Sequence, residues 1–155
     1  MSHNIEKIVK IWCRNYCEGF FRFNNDYDIN GIMLSYNFSD LCTSVFEINE
    51  KIRFVGIINQ MGKLIAGDMK KGLTSMDRDD GSMRLYLGYA INNVLRRDFD
   101  NVFGKVLYTF SEREQIKLLT IPLDDNLLLV SMDKSIDHTE LIKKILAVVN
   151  KLATS

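Results

Sequence analysis

The sequence predicts an α+β domain: one antiparallel five-stranded sheet, elements in the order α-ββ-α-βββ-α, with helices packed on it and a helical extension in front. Three observations predict it. Between Lys51 and Lys151, segments dense in β-branched and aromatic residues alternate with segments whose apolar residues recur every three or four positions. The strand-like segments come as a pair and then a triplet, joined by connections too short for crossover helices, so neighbours run antiparallel. The apolar fraction of 46% over 155 residues suffices for a core without cross-links.

The extension is residues 1–38. Ile5, Ile8, Val9, Trp12, Tyr16 and Phe20 fall on one face of a helix over 3–23, with Lys7, Lys10, Arg14 and Glu18 away from it. Such a face docks on its own domain or on a partner. Residues 24–38 read as an Asn- and Asp-rich loop with room for a short strand at Ile32–Tyr36.

The domain proper is 39–155. Ser39 is the expected N-cap of a helix through Ile48, with Leu41, Val45 and Ile48 sharing a face. Ile52–Asn59 reads as a strand, Gln60–Lys63 as a turn with Gly62 free to take positive φ, and Leu64–Ala66 as a short returning strand ended by Gly67. Residues 67–81 read as a loop. Ser82–Asp98 reads as a helix, with Met83, Leu87, Ala90 and Val94 as its expected sheet-facing stripe and Tyr86 and Ile91 alongside. Asp98–Gly104 turns the chain into three strands, Lys105–Phe110, Gln115–Ile121 and Leu127–Met132, with Pro122 at a strand end. A last helix starts after Asp137, whose pairing with Glu140 three residues on resembles a capping box.

Lys+Arg and Asp+Glu are both 20, so the formal net charge is zero. A balanced chain lacks the basic footprint of a nucleic-acid binder and has little long-range repulsion between copies. No apolar run approaches the ~20 residues of a membrane span. The charged N-terminus excludes a signal peptide, and three cysteines do not make a disulfide framework, so the expected location is cytoplasmic.

No constellation specifies a reaction, and the expectation is no catalytic residue, no metal and no cofactor. Asp26, Asp28 and Asn30 followed by Gly31 match the first half of a calcium loop, but the twelfth position is Asn37 where a bidentate carboxylate belongs. An Asn-rich turn explains the same residues. Cys13 and Cys17 lie one helical turn apart, yet no histidines accompany them and Cys42 to complete a zinc set. His3 and His138 have no activating context, and no phosphate-cradling loop is present.

The order of elements over residues 39–152, with the hairpin Ile52–Gly67 and Gly62 in its turn, resembles the roadblock domain of dynein light chains and the wider profilin-like and longin group. Ile52–Gly67, Leu95–Phe99 and Leu127–Met132 followed by the His138 helix start also resemble a group of uncharacterised archaeal proteins, a likeness that names no activity. The roadblock resemblance implies a noncatalytic homodimer whose central helices pair and whose sheets run on across the two-fold axis, serving as a platform for small GTPases or signalling assemblies. The extension 3–23 departs from the minimal roadblock pattern.

The residues add an independent reading of that interface. Leu85, Tyr89, Asn92 and Arg96 stand at i, i+4, i+7 and i+11, opposite the expected sheet-facing stripe, with Gly88 beside them. Aromatic and Arg side chains anchor interfaces, and a small residue lets backbones approach. The expectation is a dimer interface on these four residues. The alternative reading is a small-ligand sensor of profilin-like or PAS-like architecture, holding its ligand between sheet and helix.

Overall fold

A computed structural model of the chain describes residues 37–74 and 81–153. The helix over 3–23, the strand at Ile32–Tyr36, the calcium-like residues Asp26, Asp28 and Asn30, and the pair Cys13 and Cys17 lie outside the described residues. Those described form α1 (Phe38–Phe46), β1 (Ile52–Ile58), β2 (Leu64–Met69), α2 (Gly81–Arg97), α3 (Asp100–Phe103), β3 (Thr109–Glu112), β4 (Ile116–Leu123), β5 (Asn126–Asp133) and α4 (His138–Ala153). The five strands make one antiparallel sheet in the order β2-β1-β5-β4-β3, as the sequence predicts.

The pleat sorts side chains onto two unequal faces. On the first face, Val55, Val130 and Leu119 stand abreast, and Ile57, Leu128 and Ile121 form the next row. Leu41 and Val45 of α1 and Leu141, Ile145 and Val149 of α4 close over these rows in a single cluster. Most of these side chains are wholly buried, and burying each Leu or Ile contributes roughly 1.5–3 kcal/mol before entropy is counted. The core of the domain sits here.

The second face is thinner. Its rows are Phe54–Ser131–Leu118, Gly56–Leu129–Thr120 and Ile58–Leu127–Pro122. Among the described residues it is α2 that lies over it, and of the 17 residues of α2 only Ala90 is buried. The Tyr86 ring stacks on Phe54 at 6.0 Å between centroids. The expected sheet-facing stripe of α2 is therefore largely corrected. Ala90 holds its place, Leu87 and Val94 are half-buried, and Met83 is 74% exposed. The second face is itself buried at Phe54, Ile58, Leu118, Leu127 and Leu129, while Met83, near the start of α2, stays exposed.

Several boundaries move for local reasons. Asn37, not Ser39, caps α1: its side-chain oxygen accepts from the Asp40 amide at 3.4 Å, while Ser39 lies within the helix. β2 runs through Gly67 to Met69, because Gly67 at φ +105° keeps the ladder by lying against the β1 backbone. A Cβ there would come within 2.1 Å of the Val55 carbonyl oxygen. β3 starts at Thr109 instead of Lys105, and residues 104–108 precede it without a ladder partner. β4 passes through Pro122 to Leu123, which is allowed where β3 no longer lies beside it. Asp137 does cap α4, through the Thr139 amide at 3.0 Å, but the Glu140 carboxylate accepts from Lys143 at 3.1 Å.

Candidate functional site

The sheet has two edges, and they differ. β2 is a blunted edge: its register slips between Ile57 and Ile58, Gly67 takes positive φ, and Lys63, Asp68 and Lys70 line it. Irregularity and charge of this kind discourage pairing with another strand. β3 is free of such irregularity, and its one charged residue, Glu112, stands at its end. Its ladder to β4 is regular, Thr109↔Thr120 to Glu112↔Lys117, and its outer side pairs with no strand among the described residues.

Above that open edge runs one flank of α2. Arg96 donates to the Thr109 hydroxyl at the start of β3. Tyr89 is half-buried, and burial pushes its phenol up while the nearby Arg113 charge pulls it down. Leu85 lines a cavity with Arg113 and Ile116 just past the end of β3. Asn92 is exposed. Helix and edge strand thus run antiparallel to each other. From Leu85 to Arg96 the helix rises about 16 Å, against about 13 Å for the strand from Thr109 to Arg113. The four sequence-predicted residues follow the length of the open edge, but Leu85, expected to face away from the sheet, lines a cavity over its second face instead, while Asn92 is exposed.

The edge is held from the other face as well. Lys117 is buried, donates to the Ile136 carbonyl at 2.8 Å, and lies 3.4 Å from the exposed carboxylate of Glu112 on β3. Phe110 of β3 stacks on His138 at 4.3 Å. These contacts tie β3 to β4 and to the start of α4.

An apolar band that the sequence reading passed over adjoins this edge. Six of the ten exposed large apolar side chains among the described residues lie between Leu95 and Tyr108. Phe103 is 81% exposed, Val102 73% and Leu107 72%, and the Phe99 and Phe103 rings stack at 6.1 Å. The segment reads as a polar turn because Asp98, Asp100 and Asn101 interrupt it. The signal that reveals it is the spacing of Leu95, Phe99 and Phe103, four residues apart, which continues a helical stripe into α3. A concentration of apolar surface this dense marks an interaction site more often than chance.

Chemistry is sparse elsewhere. No three His, Cys, Asp or Glu side chains converge on a metal-sized site among the described residues. Cys42 is buried in the core, which pushes its thiol up to about 11. No described helix is long and apolar enough to cross a membrane.

No family model matches the chain, and no curated protein matches it. Solved structures do. The roadblock/LC7 domain of Streptomyces avermitilis matches with a TM-score of 0.57 at 12% identity, over 75% of this chain and 94% of that one. Myxococcus xanthus MglB matches at 0.59 and 14%, over 76% and 92%. A profilin of Schizosaccharomyces pombe matches at 0.54 and 10%, over 76% and 97%. At such identities the likeness is one of architecture, and the chain has the fold shared by roadblock and profilin domains.

Proposed function

We propose that the chain is a noncatalytic homodimeric interaction module and that its joined surface is a platform for a small GTPase. The observation that carries the dimer is the open β3 edge, flanked along its whole length by α2 and continued by the band from Leu95 to Tyr108. A second copy related by a two-fold axis would pair β3 with β3, extending the sheet, and set its α2 beside this one. Such an interface is self-complementary by symmetry, and a chain of zero net charge does not oppose it. Leu85, Tyr89, Asn92 and Arg96 are its proposed helix contacts, and Leu107 and Tyr108 its proposed strand-side contacts. The GTPase partner rests on the roadblock resemblance. One of the similar structures, MglB, is itself described in a tetrameric arrangement.

Sedimentation equilibrium tests the dimer. The full chain should sediment at twice its 17.9 kDa mass, and Tyr89→Glu or Leu107→Glu should shift it toward the single mass without loss of secondary structure. A wild-type chain that stays at 17.9 kDa at high micromolar concentration removes the reading. For the partner, immobilised dimer is presented with small GTPases of the same organism loaded with GDP or a GTP analogue. State-dependent binding supports the platform, and no binding in either state removes it.

A further inference from the structure

Between α2 and the second face of the sheet lies a cavity of 180 Å³ that the dimer reading does not use. Its floor is apolar: Phe54 of β1, Leu118 of β4 and Leu129 of β5, with Leu85 and Tyr86 of α2 as the roof. The Ser131 side chain on β5 is the buried polar group of the floor. Met69, Ile116 and two cationic residues, Arg53 and Arg113, also line the cavity, and no carboxylate is part of the lining among the described residues. Arg53 is half-buried and Arg113 exposed, and neither forms an ion pair among the described residues. Asp133 feels the charge of Arg53, but it also faces Lys51 and is not part of the cavity wall.

Two guanidinium groups beside an apolar floor make an electrostatically unbalanced pocket. Two cations lining one cavity repel each other, and an anion placed between them offsets that repulsion. The planar fork of each arginine matches a carboxylate better than a point charge does. The size sets the rest. At about 30 Å³ per water the cavity holds about six waters, enough for a ligand of roughly ten heavy atoms and too little for a nucleotide. Inorganic phosphate would leave the apolar floor unmatched.

We propose that this cavity binds a small organic monocarboxylate, its carboxylate held by Arg53 and Arg113 and its alkyl or aryl body resting on Phe54, Leu118 and Leu129. The site does not depend on the dimer, although Leu85 borders both. It makes the underside of α2 a place where a metabolite would tie the helix to the sheet.

The test uses the full chain, with 3-phenylpropionate and hexanoate as probes, their neutral amides as controls, and inorganic phosphate as a bare anion. Binding is followed by calorimetry and by amide shifts of Leu129 and Ser131 in nitrogen-labelled protein. The carboxylates should bind at millimolar concentration or below, the amides at least about tenfold more weakly. The double variant Arg53→Gln/Arg113→Gln should lose about tenfold or more without a fall in melting temperature. Binding of neither carboxylate, equal binding of acid and amide, or full retention in the double variant overturns the proposal. Phosphate binding as tightly as either carboxylate overturns its apolar half.

Discussion

The β1–β2 turn is pressed against the backbone of α2 at one point, where Gly62 meets Leu87. A Cβ added at Gly62 would stand 2.6 Å from both the Cα and the amide nitrogen of Leu87. Gly62 also has φ +73° and is buried. Asn59 holds the turn from inside, accepting from the Met61 and Lys63 amides at 3.0 Å each. This contact and the Phe54–Tyr86 stack both tie α2 to the hairpin side of the sheet.

Gly62→Ala should therefore cost about 2–4 kcal/mol, combining a left-handed backbone with a clash against backbone atoms that cannot rotate away. Gly72 has φ +83° and open space around it, so Gly72→Ala should cost only ~1 kcal/mol. Urea denaturation of both variants checks the pair. Equal costs would show that Leu87 does not stand where described.

Gly88 sits on α2 with nothing within 4 Å of an added Cβ. Gly88→Ala should stabilise the domain by about 0.5–1 kcal/mol through helix propensity alone. The gain should be read at high dilution. At concentrations where the chain dimerises it should shrink, because the proposed interface uses the close approach that Gly88 permits. A gain independent of protein concentration would place Gly88 outside the interface.

Lys117 is 8% exposed and Glu112 58% exposed at the side chain, so their ion pair is half in water. Glu112→Gln should cost about 1 kcal/mol or less. Lys117→Met should be close to neutral, since it removes the buried charge together with its bond to the Ile136 carbonyl. Lys117→Ala should cost more, by leaving a hole beside β3. A double-mutant cycle on Glu112 and Lys117, read by denaturation, separates these effects.

The Asp133 carboxyl lies below its ordinary value of 3.8, chiefly because it accepts from the Ser135 amide at 2.9 Å and secondarily through its side-chain bond with Ser135. A depressed folded value means a contribution that is full above the unfolded value and fades as pH falls through the folded one. Stability should thus decline below pH ~4, and Asp133→Asn should flatten part of that decline. Chemical denaturation from pH 2 to 6 provides the comparison. Parallel profiles for the two proteins would contradict it.

Cys42 should resist alkylation in the native state at pH 8, because its thiol, pushed up to about 11, carries almost no thiolate and lies buried in the core. Peptide mapping after iodoacetamide treatment distinguishes it from Cys13 and Cys17. Cys42 should react only when denaturant is added, and prompt native labelling would mean that α1 opens readily.

How much was legible in the sequence varies with the kind of signal. The Gln60–Lys63 turn and its positive-φ glycine were readable because few residues can occupy that backbone. The strand pairings of β3 to β5 were readable because short polar connections leave antiparallel neighbours as the simple solution. The bounds of β3 were not, since Lys105–Tyr108 have the composition of a strand, yet the register would set Leu107 opposite Pro122, which has no N–H to give to a ladder. The stripe of α2 misled at Met83, because helical spacing shows which residues share a face but not whether the sheet reaches far enough to cover them.

By itself, the chain determined the architecture: periodicity of two and of three-to-four residues is a local property, written wherever side chains alternate between core and water. Only the tertiary structure decided which edge stays open, that Leu85 to Arg96 lies along it, and that Phe99, Val102 and Phe103 remain uncovered. It alone brought Arg53 and Arg113, 60 positions apart in sequence, to one cavity. The physical reason is that exposure and charge balance depend on what lies opposite a residue in space, and spacing along the chain does not encode that.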